Sequence, residues 1–169
     1  MASFAQQNIR GIVGAGTLAG LTGGLAEIGW IWIYGVMGHI DSGSVARGVS
    51  RAVGIETLAD PVVLGIAVHM TLAGALGVAL AFAMQPLLAR WGRGHLIGYV
   101  SVIAALATVW ALNFFVVLPV VSPDFVGLVP YEVSLVSKIL FGVAAAAVLA
   151  IRAEAMSDAR RIEKIRRIK

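Results

Sequence analysis

The sequence predicts an all-α integral membrane protein, a four-helix bundle whose helices cross the bilayer. Of its 169 residues, 59% are apolar and only 13% are charged, and the mean hydropathy is +0.91. A soluble domain is nearer half apolar and a quarter charged. Four apolar runs are each long enough, at about 20 residues, to cross a hydrocarbon core that is ~30 Å thick. The length allows one small bundle and no separate soluble domain.

The composition excludes several other classes of protein. A soluble enzyme, a disordered tail protein and a nucleic-acid-binding module do not have this share of apolar residues. The chain has no cysteine, which excludes a disulfide framework, a thiolate metal site and thiol catalysis. The sequence contains no G-x-S-x-G, H-E-x-x-H or P-loop motif, and Gly14-Ala-Gly16 lies inside an apolar run, where it predicts helix packing. We therefore expect a protein that is not an enzyme.

The four predicted spans cover about 12–37, 61–88, 96–118 and 133–151. The first is longer than the apolar core of a signal peptide and carries Glu27, so we expect it to be retained as a helix. Residues 1–151 form the predicted transmembrane bundle. Residues 152–169 form a basic amphipathic cytoplasmic tail, which continues the fourth span as a charged helix.

Basic residues predict the orientation, because Lys and Arg concentrate on the cytoplasmic side of short loops. Ten of them fall on one side of the predicted spans, and only Arg47 and Arg51 fall on the other. We therefore expect both termini in the cytoplasm. In the tail, five basic residues form a candidate surface for anionic lipid or a partner: Arg160, Arg161, Lys164, Arg166 and Arg167.

The first outer connector, residues 38–60, carries a helical pattern. Three valines recur every four residues with two arginines on the opposite side: Val45, Val49, Val53, Arg47 and Arg51. This pattern predicts a short helix in the membrane interface, capped by Asp41 or Ser42 and ended by Gly54. Its role stays open between a connector that lies along the membrane and a lid over a ligand.

The second outer connector, residues 119–131, is apolar and rich in proline. It holds Pro119, Pro123 and Pro130, and its single charge is Asp124. The prolines predict that this connector is not helical. Because an apolar loop is unfavourable in water, we expect it either to fold onto its own bundle or to be covered by another protein.

Each predicted span carries one strongly polar residue: Glu27, His69, Asn113 and Lys138. A charged side chain inside the membrane costs about 2.5–3.5 kcal/mol on insertion scales, so it usually faces the bundle interior and has a function. At 1.5 Å per residue, all four lie roughly 9–16 Å below the outer surface. We therefore expect them to meet in an intramembrane polar cluster in the outer half of the bilayer.

Small residues share the helical faces of three of these polar residues. Five glycines on these faces are expected to pack helices together: Gly16, Gly20, Gly24, Gly65 and Gly142. Asn113 instead has Val109 and Val117 one turn away on either side. Its place in the cluster is therefore the least supported.

The simplest pairing joins the Glu27 carboxylate to the Lys138 ammonium, with His69 and Asn113 satisfying the remaining donors and acceptors. Other interpretations stay open. Lys138 is close enough to the surface to extend its ammonium among the headgroups, and His69 can serve as a hydrogen-bonded packing residue. The cluster as a whole is either a structural ion pair that fixes helix register or a proton relay or ligand site.

The sequence assigns no cofactor. Met37 and His39, with Asp41 nearby, form a candidate copper site at the outer surface. A haem held by His69 and by a ligand from a partner is a second hypothesis. The aromatic residues in the outer half of the first span predict either a wall for a quinone, lipid or pigment, or an interfacial belt.

Two segments, Asn113-Phe-Phe-Val-Val-Leu-Pro119 and Ser134-x-x-x-Lys138-x-x-Phe141-Gly142, carry a resemblance, together with the single His69 of the second span. They resemble small uncharacterised four-helix bacterial inner-membrane proteins. In that group a histidine is expected at the position of Lys138. The resemblance implies a bacterial inner membrane and brings no activity with it.

We expect the chain to be a non-catalytic accessory or structural subunit of a larger inner-membrane complex, respiratory or otherwise energy-transducing, that packs through its glycine-rich helix faces. The expected partners are membrane lipids and either other membrane subunits or further copies of the chain, with no nucleic acid. One alternative is a small oligomeric proton-linked transporter or channel that uses Glu27, His69 and Lys138. Another is a redox subunit that binds haem, copper or quinone.

Overall fold

The computed structural model describes the backbone of residues 2–91 and 95–166 and the side chains of residues 9–84 and 96–152. Within these ranges the chain is all-helical. Its elements are α1 (Ala2–Val36), α2 (Ser42–Ala52), α3 (Pro61–Trp91), α4 (His95–Leu112), a π-helical turn (Asn113–Val117), α5 (Leu118–Val121), α6 (Pro123–Val126) and α7 (Tyr131–Arg166).

Four stretches of helix in the described chain are long and apolar enough to cross a membrane, as in a multi-pass membrane protein. They are Ile9–Val36, Pro61–Met84, Leu96–Val121 and Tyr131–Arg152. The helix of α7 continues to Arg166, as expected for the tail. Arg167 lies outside the described residues, as do the side chains of Arg160, Arg161, Lys164 and Arg166.

Glycines bring the backbones of α1 and α3 into direct contact. A Cβ atom on Gly16 would lie 2.6 Å from the Cα of Val78. A Cβ on Gly20 would collide with the carbonyl of Ala73, and a Cβ on Gly77 would collide with the backbone of Gly20. Because no side chain separates the two helices here, they gain the close van der Waals contact that drives helix association in lipid.

The remaining long helices pack around α1 and α7. α1 packs against both α3 and α7, and α4 packs mainly on α7, whereas α3 and α4 touch only slightly. The buried core draws on all four: Ala19, Ala73, Leu80, Val102, Leu106, Phe141, Ala145 and Ala146. Among the residues that the structure describes, the packing between neighbouring long helices is therefore loosest between α3 and α4.

The two connectors that contain α2 and α6 lie together at one end of the long helices. α2 packs on α3 and on α6. A Cβ on Gly65 would overlap the carbonyl of Ala46, and a Cβ on Gly48 would lie within 2.8 Å of Phe125 and Leu128. The apolar second connector thus packs in part on its own chain, which is one of the two outcomes expected for it.

The expectation that prolines keep the second connector from being helical is wrong. α5 and α6 occupy it, with Pro119 and Pro123 in their first turns. Proline is tolerated there because the N–H groups of a first turn have no partner inside the helix. The π-helical turn, which ends with a bond from the Leu118 N–H to the Asn113 carbonyl, carries the third apolar helix past its expected end at residue 118.

α2 is the helix predicted in the first connector, and Asp41 caps its start. The Asp41 carboxylate accepts hydrogen bonds from the Gly43 N–H at 2.9 Å, from the Ser44 hydroxyl and from the Arg47 guanidinium at 2.8 Å. The Ser44 hydrogen bond is the main cause that holds the pKa of Asp41 below its usual value. Gly54 has φ +72° and ends this segment in a conformation that favours glycine.

We expect Asp41→Ala to loosen α2 and Asp41→Asn to preserve it, because asparagine also caps helices. Hydrogen exchange of the amides at 43–47 should rise in the alanine variant only. Since the folded pKa of Asp41 is lowered, the cap is fully present above the unfolded pKa and is lost as the pH falls through the folded value. The protection of the wild-type amides, measured against the intrinsic exchange rate at each pH, should therefore fall only below about pH 4. Equal exchange in both variants would contradict this role.

Candidate functional site

Glu27 of α1 and Lys138 of α7 form an ion pair between two long helices. Lys138 Nζ lies 2.7 Å from Glu27 Oε1 and 2.9 Å from Glu27 Oε2. The Glu27 side chain is only 5% exposed and that of Lys138 is 19% exposed. Charge-assisted hydrogen bonds at such distances are strong. The structure thus brings together the pair that the sequence predicts, and the ammonium points to Glu27 rather than to the membrane surface.

Hydroxyl and indole groups support the ion pair. Ser137 Oγ donates to Glu27 Oε1 at 3.1 Å and lies 2.7 Å from the carbonyl of Ser134. Trp110 Nε1 of α4 donates to Ser134 Oγ at 3.1 Å. These contacts hold the first turns of α7 against α1 and α4. Ser137 was not among the predicted cluster residues, and its only signal in the sequence is its place beside Lys138.

His69 of α3 is the third ionisable group at this carboxylate. Its Nε2 lies 3.6 Å from Glu27 Oε2, beyond the usual range of a hydrogen bond. This nitrogen is buried and has no hydrogen-bond partner among the described residues, although the side chain as a whole is 26% exposed. Two ionisable side chains, from α3 and α7, therefore flank the buried carboxylate that α1 supplies.

The three residues lie at similar depths along their helices. Glu27 comes nine residues before the end of α1, His69 eight residues after the start of α3, and Lys138 seven residues after the start of α7. At 1.5 Å per residue these positions are about 14, 12 and 10 Å from the helix ends nearest α2. The regular rise of the helix therefore explains why three separate segments deliver their polar groups to one level.

The structure does not join Asn113 to the other three residues. Asn113 opens the π-helical turn, is half-buried, and makes no side-chain hydrogen bond to the described part of the cluster. At this level α4 meets α7 through Trp110 and Ser134 instead. The expected role of Asn113 in satisfying a remaining donor or acceptor has no support in the geometry.

The five glycines predicted to pack helices all lie at contacts within the chain. Gly16, Gly20 and Gly24 face α3, Gly65 faces α2, and Gly142 faces α4. These small faces are therefore occupied by the chain's own helices. A partner would have to bind through other surfaces.

Two residues of the candidate copper site, His39 and Asp41, make other contacts, and the site stays a prediction. The His39 ring stacks on Tyr34 with centroids 4.8 Å apart, and the carboxylate of Asp41 is engaged by Arg47 and the start of α2. In the ranges whose side chains are described, no group of three His, Asp or Glu residues is placed to hold a metal ion. The aromatic residues of α1 also make internal contacts, since Trp30 Nε1 donates to the Val133 carbonyl at 3.0 Å.

Comparison with known proteins leaves the cluster as the main guide to function. No protein-family model matches the chain, and neither the curated proteins nor the solved structures compared with it give a match. The resemblance to small four-helix inner-membrane proteins therefore stays a prediction. Function has to be inferred from the chemistry of the cluster and from the exposed surface.

The geometry of the cluster is compatible with two kinds of role. A buried ion pair regains the free energy lost on desolvation only when the two groups are well placed. The Glu27–Lys138 pair therefore favours one alignment of α1 against α7 and can fix their register. A group of ionisable side chains with two partly exposed members can also exchange protons. The first role needs only Glu27 and Lys138, whereas the second also needs His69.

Proposed function

We propose that the chain is a non-catalytic accessory subunit of a larger bacterial inner-membrane complex, respiratory or otherwise energy-transducing. In this proposal it forms a four-helix bundle with both termini in the cytoplasm. The excess of Lys and Arg at the termini and between the second and third spans supports this orientation. It places α2 and α6 on the outer side of the membrane.

The observation that carries the proposal is a set of exposed apolar side chains at the α2 and α6 end. We call it the outer apolar set: Val36, Met37, Leu58, Val120 and Val121. Leu58 is 76% exposed and Val120 is 82% exposed, although the neighbouring connectors are packed on each other. Val36, Val120 and Val121 lie in the last turns of two candidate spans, and Met37 and Leu58 lie beyond them. Lipid tails cover the sides of a bundle but give way to headgroups and water at its ends, so apolar groups left exposed there favour a protein partner.

The loosely packed side between α3 and α4 supports the same proposal. The other neighbouring pairs of long helices, α1 with α3, α1 with α7 and α4 with α7, pack extensively. A transmembrane helix of a partner would gain van der Waals contact along the looser side. The glycine-rich faces support this role indirectly, because they hold the chain's own helices in one rigid unit.

Site-specific photo-crosslinking in the native membrane tests the proposal. A photoreactive amino acid at Leu58 or at Val120 should crosslink the same protein partner in both variants. The matched control is Leu25, which is also exposed but lies in the middle of α1 and should crosslink only lipid. Lipid adducts alone at all three positions would contradict the proposal.

A second candidate function, a small oligomeric proton-linked transporter or channel, is favoured by one observation. The Glu27 carboxylate is buried, whereas the His69 and Lys138 side chains on either side of it are partly exposed. A site that carries protons needs such partly exposed groups to exchange them with water. Proton flux into proteoliposomes should then fall in Glu27→Gln, His69→Ala and Lys138→Ala. Unchanged flux in all three variants would eliminate this candidate. The hypothesis of a haem, copper or quinone subunit gains no comparable observation.

A further inference from the structure

The His69 Nε2 atom is left without a hydrogen bond in a place where buried polar atoms normally have one. It is buried, yet the nearest carboxylate oxygen, Glu27 Oε2, is 3.6 Å away. This distance is about 0.7 Å longer than that of a charge-assisted hydrogen bond between nitrogen and oxygen. A small rotation of the imidazole would close the gap once Nε2 carries a proton and a positive charge.

The Glu27 carboxylate has room for a second cation. A carboxylate offers two oxygens with about four acceptor positions. Lys138 Nζ spans both oxygens, at 2.7 and 2.9 Å, and Ser137 occupies one further position on Oε1 at 3.1 Å. If Lys138 keeps Oε1, then Oε2 can pass to His69 without leaving either cation unpaired.

We propose that His69 Nε2 and Glu27 Oε2 together form a proton-binding site. One proton from the aqueous phase binds the Nε2 lone pair of the neutral imidazole. The resulting N–H donates to Glu27 Oε2 while Lys138 stays on Oε1, so the three residues change from no net charge to a charge of plus one. No covalent bond other than the new N–H forms, and none breaks in the cluster.

Of the charged groups on the helices packed around α3, the two that act most directly on a proton at His69 belong to the cluster itself. On α1 the group is Glu27, which favours the proton, and on α7 it is Lys138, which opposes it. On α2, Arg47 is paired with Asp41 at 2.8 Å and Arg51 is exposed. The other described titratable groups lie in the connectors or toward the ends of the candidate spans: Arg10, Tyr34, His39, Glu56, Asp60, Tyr99, Asp124, Tyr131, Glu132 and Arg152.

Binding of the proton would tie three helices to one carboxylate instead of two. Gly24 of α1 lets α3 lie close at this level, because a Cβ there would crowd the Ala73 Cβ at 2.7 Å, whereas His69 Nε2, at 3.7 Å, would be at ordinary contact distance. The site would therefore respond to acid by turning the His69 side chain toward Glu27, while the backbone of α3 stays in its contact with α1. This inference is independent of whether the chain is a subunit of a larger complex.

Solid-state nuclear magnetic resonance of the full chain in lipid bilayers tests the inference. His39→Gln and His95→Gln leave His69 as the only histidine. At pH 5 we expect a His69 imidazolium whose Nε2 has moved to about 2.8 Å from Glu27 Oε2. At pH 8 we expect the imidazolium signal to be at least tenfold weaker. The contact between Lys138 Nζ and the Glu27 carboxyl carbon should persist at both values.

Variants separate the proton site from a histidine that merely titrates. Glu27→Gln should lower the imidazolium signal at pH 5 at least tenfold, whereas Glu132→Gln, which changes an exposed carboxylate of α7, should leave it unchanged. A neutral His69 at pH 5, or an imidazolium at the same distance as at pH 8, would overturn the proposal. If Glu27→Gln does not fold, the distance measured with Glu27 present decides alone.

Discussion

Removing either partner of the Glu27–Lys138 ion pair should destabilise the protein by roughly 3–5 kcal/mol. Glu27→Gln leaves a Lys138 ammonium without its counter-ion, and Lys138→Met leaves a carboxylate that is 5% exposed without a cation. The double variant should cost much less than the sum of the two, because no isolated charge remains. The measurement is the free energy of unfolding of all four proteins in mild detergent.

The matched control for this cycle is the Asp41–Arg47 pair at α2. Its N–O distance of 2.8 Å is similar, but both of its side chains are exposed. Exposed ion pairs contribute little, so we expect little coupling between Asp41→Asn and Arg47→Met. If the effects of Glu27→Gln and Lys138→Met simply add, the two residues do not act as a pair. The structural basis of the cluster would then be wrong.

Gly20→Leu should have the second largest effect, a loss of about 3 kcal/mol or more. A side chain at this position meets the carbonyl of Ala73 and the Cα of Gly74, and these are backbone atoms that cannot turn away. Accommodating it requires α1 and α3 to separate along the seam that also contains Gly16 and Gly77. The thermal unfolding midpoint of the purified protein in detergent reports this change.

Gly14→Leu is the matched control, since it lies on the same helix and has nothing within 4 Å of its Cβ position. Leucine has a higher helix propensity than glycine by up to about 1 kcal/mol. We therefore expect this variant to be as stable as the wild type or slightly more so. Equal destabilisation at Gly14 and Gly20 would show that the seam between α1 and α3 is not formed.

Most of the fold follows from simple properties of the chain. The four apolar helices were predictable because the bilayer thickness sets their length. Glu27 and Lys138 could be paired in advance because a helix rises by a fixed 1.5 Å per residue and repeats its faces at a known angle. The same arithmetic placed His69 beside them. In each case a local, periodic rule fixes the position of the residue.

The details that the sequence did not predict depend on contacts between distant segments. Asn113 lies at a depth similar to that of the cluster, yet α4 presents Trp110 to Ser134. The spacing of Asn113 in the sequence does not indicate that α4 makes this contact through Trp110. The rule that proline breaks helices does not predict the helices of the second connector, because Pro119 and Pro123 stand where helices begin. Ser137 is identified only by its contact with Glu27.

The central claim, that the chain is a subunit, is tested most directly by native mass spectrometry. The protein should be drawn from its own membranes in a mild detergent, with no overexpression of the chain. We predict a complex in which the chain is present at a fixed stoichiometry with at least one other membrane protein. Recovery only as a free monomer would contradict the claim, and recovery only as a homo-oligomer would favour transport through Glu27, His69 and Lys138 instead.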